Sequence, residues 1–313
     1  MEISDNKKEH EVHNSMPIKP PPHEALFLAL SYLPLFELLA MSGVCKSLRD
    51  AVNNDILPWL NITVKQPLNS RLSDHILMRI ASKANGRLRT LALINCVMIT
   101  DDGLQQVIEN NPHITKLHVP ACTGLTPDGV VRAVKTLTDH SPNLISLKIA
   151  GIYCINKHHV EILHSILNTN LKRHEPQIQH EHKHFTRHQE TDCPIDIDIC
   201  PKCDQANMVF DCPRKNCAQK RKEGQSECRG CYCCIMRCVQ CGQCVEYEEP
   251  VEAVCLHTLC LDCWLQLPKC CFCNQPYCNQ HADEPDQKYS LLGSSGFICA
   301  VCHEMYIENA RDF

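Results

Sequence analysis

The sequence of 313 residues predicts a multidomain α+β protein with three successive parts. These are a block of three short helices, a short α/β solenoid of repeated strand–helix units, and an irregular module organised by cysteine. Three observations predict this division: leucines at helical spacing near the N-terminus, a recurring leucine pattern in the middle, and 21 of the 25 cysteines after residue 192. At about 100–200 residues per domain, the length accommodates two or three such units.

Charge and composition restrict the partners and the compartment. The net charge of -5 argues against a protein that coats nucleic acid, whose signature is a basic domain. The polar stretch Met1–His10 has no apolar core, so we expect no secretory signal and place the chain in the nucleus and/or the cytoplasm. Disulfides persist in oxidising compartments, so metal thiolates explain the cysteines better. Pro34 and Glu37 interrupt the apolar stretch from Ala25 to Cys45, which favours soluble helices over a membrane span.

The first block begins after a charged and polar tail, residues 1–20, which we expect to be disordered. Pro34 separates two runs of apolar residues at helical spacing. These runs are Leu26, Leu28, Leu30 and Leu33, then Leu35, Leu38, Leu39 and Met41. Three short helices in so few residues cannot bury a sizeable core. The block is therefore predicted to leave apolar surface for a partner.

Residues 21–56 contain Leu33-Pro34, Leu38-Leu39 and Val44-Cys45-Lys46. With these motifs at their spacing the block resembles an F-box, and it departs from that family at Leu48, where an aromatic residue is common. An F-box implies a three-helix module that binds a Skp-type adaptor and, through it, a cullin scaffold. By this resemblance the adaptor-binding residues are Pro22, Leu26, Leu30, Leu33, Pro34, Leu38, Val44 and Cys45. The alternative is a helical cap on the next domain.

A leucine pattern recurs in the middle of the chain. Leu88-x-x-Leu91-x-Leu93-x-x-Cys96 returns from Ile114 to Cys122 and from Leu144 to Ile152, at steps of 26 and 30 residues, which is typical of leucine-rich repeats. Each unit is expected to be a strand followed by a capped helix, and a degenerate unit begins at Leu60. Three to four repeats are only just enough for a stable solenoid. The cysteines of the pattern, Cys96 and Cys122, are predicted to face the core, with Cys154 also packed.

The cysteine-rich module contains many pairs of cysteines two residues apart. A tight turn between two such thiolates aims both sulfurs at one ion, which suits tetrahedral zinc. Twenty cysteines from residue 200 onward, with two histidines, supply ligands for about four or five zinc ions. The predicted ligands are Cys200, Cys203, Cys212, Cys217, Cys228, Cys231, Cys238, Cys241, Cys255, His257, Cys260, Cys263, Cys270, Cys273, Cys278, His281, Cys299 and Cys302.

One partition of these ligands has a RING-like order. It assigns one ion to Cys238, Cys241, Cys260 and Cys263, and a second to Cys255, His257, Cys270 and Cys273. The other predicted sets are Cys278, His281, Cys299 and Cys302, and Cys200, Cys203, Cys212 and Cys217. Five cysteines are left to compete for a fifth site: Cys228, Cys231, Cys233, Cys234 and Cys244. Cys271, next to Cys270, could replace a neighbouring cysteine as a metal ligand.

The order of these parts resembles a plant F-box protein of the Skp-interacting class. The predicted parts are a tail 1–20, an F-box 21–56, leucine-rich repeats 57–172, a histidine-rich linker 173–196, a zinc-binding module 197–303 and a tail 304–313. The linker is interpreted as solvated, with adventitious metal binding as the alternative.

That resemblance implies a non-catalytic substrate receptor of a Skp–cullin–F-box ubiquitin ligase, acting on an unknown protein in protein ubiquitination. No Ser/His/Asp order or phosphate loop offers a competing enzymatic site. Neither a membrane nor a nucleic-acid partner is expected. Two alternatives stay open: the zinc module is itself a RING-type ubiquitin ligase, or the chain is a zinc-dependent scaffold or chromatin adaptor.

Overall fold

The computed structural model describes residues 24–140, 143–171, 194–224, 228–245, 251–279, 281–282, 288–290 and 296–311. The chain divides into two compact units, residues 1–59 and 60–313, so the division lies close to the predicted end of the first block. Among the described residues, no helix has both the length and the apolar character that crossing a bilayer requires.

The first unit consists of three short helices, as the leucine spacing predicts. They are α1 Glu24–Ala29, α2 Leu35–Met41 and α3 Lys46–Asn54, with 3-10 turns at Leu30–Tyr32 and Leu57–Trp59. The buried apolar side chains include Leu30, Leu35, Leu38, Leu48, Val52 and Trp59. The indole Nε1 of Trp59 donates to the carbonyl of Val52 at 2.7 Å, so the ring closes over the end of α3 with its polar atom satisfied.

The second unit begins with four parallel strands in chain order. They are β1 Asn61–Val64, β2 Thr90–Leu93, β3 Lys116–His118 and β4 Ser146–Lys148. A helix follows each strand: α4 Asp74–Ala81, α5 Asp101–Glu109, α6 Pro127–His140 and α7 Lys157–Leu171. The register aligns Leu91 with Leu117 and Leu117 with Leu147, so the same position of each repeat points into the core. The leucine pattern predicts these buried positions.

The cysteines of this region have two different environments. Cys96 and Cys122 are buried, as the repeat pattern predicts, and the Cys122 thiol donates to the carbonyl of Leu93 at 3.1 Å. Cys154 was predicted to pack inside, and this prediction is wrong because its side chain is exposed. The core position of this repeat belongs to Ile152, which is buried, and Cys154 lies two residues beyond it in the turn before α7, with a left-handed φ of 61°.

Neighbouring repeats are joined at the N-termini of their helices. The carboxylate of Asp74 accepts hydrogen bonds from the backbone N–H and the hydroxyl of Thr100, at 3.0 and 2.7 Å. Asp101 receives the same two bonds from Thr126, at 2.9 and 2.6 Å. Each threonine also caps its own helix, because its hydroxyl accepts from the N–H of the glycine three residues later. The first turn of one helix therefore fixes the start of the next.

Gly129 is required by this ladder. A Cβ atom on Gly129 would lie 2.0 Å from Oδ1 of Asp101, so Gly129→Ala has to displace the carboxylate from Thr126. We expect the free energy of unfolding to fall by about 1–2 kcal/mol, the order of two partly exposed hydrogen bonds to a charged group. Urea denaturation followed by circular dichroism measures this change.

An Asp101→Ala background provides the control for this prediction. There the carboxylate is already absent, and Gly129→Ala should be neutral or should stabilise the helix by up to about 1 kcal/mol, because alanine is the better helix former. Equal losses in both backgrounds would contradict the contact between Gly129 and Asp101 as the cause.

The chain returns to the free edge of the sheet after α7. Ile195 pairs with Leu147 in a parallel bridge, and the carboxylate of Asp196 accepts from the N–H groups of Ile149 and Ala150 at 2.8 and 3.1 Å. Residues 194–196 were predicted to belong to the linker, but they extend the sheet because Asp196 satisfies donors that the edge would leave unpaired. The predicted linker from 173 to 193 lies outside the described residues.

Short elements follow in the cysteine-rich part. In its described segments, four antiparallel pairs are formed by β5 Asp198–Ile199 with β6 Ala206–Asn207, β7 Val209–Phe210 with β8 Gly230–Cys231, β9 Val251–Glu252 with β10 Thr258–Leu259, and β11 Lys288–Ser290 with β12 Phe297–Cys299. The helices are α8 Lys215–Lys222, α9 Leu261–Gln266 and α10 Ala300–Arg311. Residues 304–311 of the predicted tail are therefore helical, since α10 begins directly after Cys299 and ends at Arg311.

Candidate metal centres and docking surface

Three tight turns with the same geometry carry cysteine pairs. In each, the N–H of the first cysteine donates to a glutamine carbonyl five residues later, at 2.9–3.0 Å: Cys200 to Gln205, Cys238 to Gln243 and Cys270 to Gln275. The residue after the second cysteine has a left-handed φ of 55°, 73° or 56°: Asp204, Gly242 and Asn274, respectively. Glycine, asparagine and aspartate tolerate this conformation best. The repeated Cys-x-x-Cys-x-Gln sequence thus explains why both sulfurs of each pair point to one side.

Among the described residues, the structure collects the side chains that could bind a metal into five groups. Four of them have four members: Cys200, Cys203, Cys231 and Cys234; Cys238, Cys241, Cys260 and Cys263; Cys255, His257, Cys278 and His281; Cys270, Cys273, Cys299 and Cys302. The fifth contains Cys212, Cys217 and Cys244. Cys228 lies beside this group, with its sulfur 3.4 Å from that of Cys217 and 3.7 Å from that of Cys244.

The distances inside these groups fit tetrahedral zinc. Four Zn–S bonds of about 2.3 Å separate the sulfurs by about 3.8 Å. The Sγ atoms of Cys241 and Cys260 are 3.7 Å apart, and those of Cys273 and Cys299 are 3.8 Å apart. A disulfide would bring two sulfurs to about 2.05 Å, and no cysteine in the described part of the chain forms one. The donor sets, four of cysteine alone and one with two histidines, are those of structural zinc sites.

Backbone N–H groups favour the thiolate form of several ligands. The sulfur of Cys200 accepts the N–H of Cys231 at 3.3 Å, and the sulfur of Cys270 accepts that of Cys299 at the same distance. Burial raises the pKa of Cys200, but these and neighbouring N–H donors outweigh it and lower the pKa to about 6. The same balance lowers the pKa of Cys270 to about 6. Thiolate is the form that binds a metal ion.

The pairing of the cysteines differs from the sequence prediction in all but one group. Cys238, Cys241, Cys260 and Cys263 come together as predicted. The pair Cys255/His257 meets Cys278/His281 rather than Cys270/Cys273, which instead meets Cys299/Cys302. Likewise Cys200/Cys203 meets Cys231/Cys234, so the predicted set with Cys212 and Cys217 does not form. The predicted second half of the RING-like set is therefore wrong.

Backbone hydrogen bonds outside the cysteine pairs decide this pairing. The N–H of Val254 donates to the carbonyl of Pro276 at 2.9 Å, which places residue 278 beside residue 255. Cys270 forms a parallel bridge with Phe297, and the N–H of Cys271 donates to the carbonyl of Phe297 at 3.0 Å. Residue 299 is thereby brought to residue 270. Spacing between cysteines contains no information about these bridges.

The five groups interlock along the chain. Each group closes only after the next has begun: the set that starts at Cys238 ends at Cys263, beyond Cys255, and the set that starts at Cys255 ends at His281, beyond Cys270. Cys234 and Cys244, which the sequence leaves undecided, both belong to groups. Cys233 and Cys271 are exposed and belong to none of the five.

The exposed apolar residues of the first unit differ from the predicted adaptor-binding set. Of that set, Pro34 and Val44 are exposed, and Leu26, Leu33 and Cys45 are half-buried. Leu30 and Leu38 are each 1% exposed because both pack in the core of the unit. The prediction that they lie on a docking face is therefore wrong. Pro22 lies outside the described residues. The exposed apolar side chains of this unit also include three that the predicted adaptor-binding set does not contain: Leu28, Tyr32 and Phe36.

Comparison with known proteins connects both regions to one family. A family model for the F-box domain matches residues 22–60, and one for the At3g27290 F-box protein C-terminal domain matches residues 196–272. The chain is 39% identical over 288 residues to F-box protein SKIP28 of Arabidopsis thaliana, a match that covers 90% of each. It belongs to the plant F-box proteins of the Skp-interacting class.

Two further Arabidopsis thaliana proteins resemble this F-box protein. F-box protein SKIP14 is 34% identical and the match covers 79% of this chain and 55% of that protein. F-box protein At3g27290 is 36% identical, with 71% and 60% covered. The F-box match lies almost wholly on the three-helix unit, and the C-terminal match includes the turns at Cys200 and Cys238. The family model thus covers residues 196–272 of the cysteine-rich part of this F-box protein.

A buried arginine of this F-box protein joins two of the candidate metal groups. Arg237 is 2% exposed, and its guanidinium donates to the carbonyls of Phe210, Cys228 and Gly242 at 2.8, 2.5 and 3.3 Å. Cys228 lies beside the group of Cys217 and Cys244, and Gly242 lies in the turn that begins at Cys238. Arg237 therefore holds the two groups together. Sequence reasoning missed Arg237, because an arginine between Met236 and Cys238 gives no local signal of burial.

Proposed function

We propose that this F-box protein is the substrate-receptor subunit of a Skp–cullin–F-box ubiquitin ligase and has no catalytic role of its own. The observation that carries the proposal is the F-box match over residues 22–60, on a unit that exposes apolar side chains. In this role the first unit binds a Skp-type adaptor, which links it to a cullin scaffold. Residues 60–313 then present a protein substrate for ubiquitination.

The exposed side chains of the first unit support adaptor binding. Tyr32 is 88% exposed and Val44 is 67% exposed. The unit has a small core, and these two apolar side chains are not part of it. Covering such a side chain contributes about 1.5–3 kcal/mol, and aromatic side chains are frequent anchors of protein interfaces. A partner surface that buries Leu28, Tyr32, Phe36 and Val44 accounts for their exposure.

The second unit has a structural role in this proposal. Its four strand–helix units are leucine-rich repeats, and its five cysteine groups hold zinc. A bound zinc ion would supply cross-links between chain segments that have little apolar core of their own. Four protein ligands close each of the four larger groups, and Cys228 lies where it can add a fourth ligand to the group of Cys212, which fits closed structural sites and a non-catalytic subunit. No observation on the described residues favours RING-type ligase activity of this module.

The double variant Tyr32→Asp with Val44→Asp tests the docking surface. Two charges placed in an apolar interface should weaken co-purification with a Skp-type adaptor by at least about 100-fold, since each buried and unpaired charge costs several kcal/mol. The measurement is a pull-down of the full-length chain with the purified adaptor. Tyr153→Asp is the control, because Tyr153 is 69% exposed in the second unit. Equal binding by the double variant and the control would contradict the proposed surface.

A further inference from the structure

Acidic and basic side chains are segregated in the repeat array. All seven acidic residues between positions 60 and 171 lie in the four helices: Asp74, Asp101, Asp102, Glu109, Asp128, Asp139 and Glu161. The strands and the connections between strands and helices contain none. The side chains of the strand face therefore carry no negative charge in this range, whereas the helices carry both signs.

The strand face itself is basic. Lys116 and His118 occupy the outward positions of β3, and Lys148 occupies one on β4, while the alternate residues are buried. Lys65 directly follows β1 at an outward, exposed position. No carboxylate within the described range forms an ion pair with Lys65 or Lys116 in the manner that Lys157 pairs with Asp204. Three lysines thus share one face of the sheet.

Asp196, beside the edge strand β4, directs its carboxylate toward backbone N–H groups. Asp196 follows the bridge between Ile195 and Leu147, next to Lys148. Its two carboxylate oxygens are occupied by the N–H groups of Ile149 and Ala150. Asp196 lies at the last edge of the sheet and attracts Lys148 electrostatically, whereas Lys65 and Lys116 lie on or after strands farther from that edge.

The spacing of these lysines selects the shape of a ligand. The register pairs Lys116 with Ser146 and His118 with Lys148, so Lys116 and Lys148 are diagonal neighbours on adjacent strands. With strands about 4.8 Å apart and a rise of about 3.3 Å per residue, their Cα atoms are about 8 Å apart. An extended peptide places alternate side chains about 7 Å apart on one side. Two carboxylates at alternate positions of such a peptide can therefore each meet one lysine.

We infer that the strand face of the repeats, marked by Lys65, Lys116, His118 and Lys148, binds an extended acidic segment of a partner protein, with carboxylates at alternate positions. The inference rests on the proposed receptor function and names the class of substrate that this receptor takes. The imidazole of His118 and the hydroxyl of Ser146 lie on the same face, with Nε2 and Oγ 2.9 Å apart. They offer polar contacts to the ligand beside the lysines.

Fluorescence anisotropy with the full-length chain, loaded with zinc, tests the inference. The probe is a fluorescein-labelled peptide of alternating glutamate and glycine, about 12 residues long, in about 50 mM salt, where exposed charges are weakly screened. The wild type should bind it, and Lys116→Glu with Lys148→Glu should weaken binding by at least about tenfold, because two attractions become repulsions. A peptide with glutamine in place of glutamate should not bind.

A second charge-reversal variant separates the face from net charge. Arg79→Glu with Lys135→Glu makes the same change in total charge on exposed positions of α4 and α6, and it should bind the probe like the wild type. Equal losses in both variants would overturn the inference, as would absence of binding to the glutamate peptide or tighter binding of an oligothymidylate of similar length. Should the first variant prove unfolded by circular dichroism, Lys116→Gln with Lys148→Gln replaces it, with an expected loss of about threefold or more.

The assay contains no adaptor, so its result is separate from that of the receptor proposal. Retained adaptor binding by Lys116→Glu with Lys148→Glu, together with lost peptide binding, supports both. Retained adaptor binding with unchanged peptide binding overturns only the inference about the strand face.

Discussion

Cys260→Ser is expected to remove more than one metal ion and to unfold much of the cysteine-rich module. The wild type should hold five zinc ions, one for each group, and the variant three or fewer. The reason is that neighbouring groups share buried side chains: Cys238, Cys260 and Cys278 lie in one apolar cluster with Leu259, although they belong to two metal groups. Each structural zinc contributes free energy of the order of 10–16 kcal/mol in small zinc-binding peptides, so one lost site is not absorbed locally. Native mass spectrometry under reducing conditions counts the ions.

Cys271→Ser is the matched control for this experiment. Cys271 is exposed and belongs to none of the five groups, so the variant should keep all five ions and the circular dichroism spectrum of the wild type. A Cys260→Ser chain that loses a single ion and stays folded would show that the groups act independently. Equal losses in the two variants would refute the assignment of Cys260 as a ligand.

Arg237→Ala is expected to lower the free energy of unfolding of the same module by about 3–5 kcal/mol. The substitution leaves the carbonyls of Phe210, Cys228 and Gly242 without their buried donor, and each unsatisfied buried group costs about 1–3 kcal/mol. Release of zinc to a chromophoric chelator during urea denaturation measures the change. The module should lose metal at a clearly lower urea concentration than the wild type.

Arg229→Ala provides the comparison within the module. Arg229 bridges Asp198 and Asp211 at 2.8 and 2.9 Å, but all three side chains are more than a third exposed. Such surface ion pairs contribute about 0–1 kcal/mol, so this variant should lose much less stability. An Arg237→Ala chain no less stable than Arg229→Ala would contradict the role assigned to the buried guanidinium.

The elements of the fold were predictable where local chemistry determines them. Pro34 separates α1 from α2 as its missing N–H requires, and the recurring leucines from Leu88 onward place β2, β3 and β4 correctly. The degenerate unit at Leu60 is β1. These signals lie within a few residues of the structure that they predict, so one sequence is enough to recognise them.

Which cysteine pairs share one metal group could not be predicted from the sequence. A Cys-x-x-Cys spacing predicts a turn that binds one ion, and the three turns with glutamine confirm that the two sulfurs of a pair act together. Which pair meets which is decided by contacts such as the bridge between Cys270 and Phe297, 27 residues apart. The same holds for Leu38, whose helical spacing is equally compatible with a docking face and with a core position. Tertiary packing selects the core.

Several important side chains gave no signal in the sequence at all. Arg237 is buried because it meets three carbonyls that come from different loops, and Asp196 extends the sheet because it finds two free N–H groups at an edge. The ladder from Asp74 to Thr100 likewise joins residues 26 positions apart. In each case a polar group is satisfied by a distant partner, and only the folded chain brings the two together.

The receptor proposal is tested most directly by mixing the full-length zinc-loaded chain with a purified Skp-type adaptor and measuring the mass of the species that elutes from a sizing column by light scattering. The account predicts one stable species with the mass of a single chain plus a single adaptor. Separate elution of the two proteins at concentrations well above those of the pull-down would contradict it.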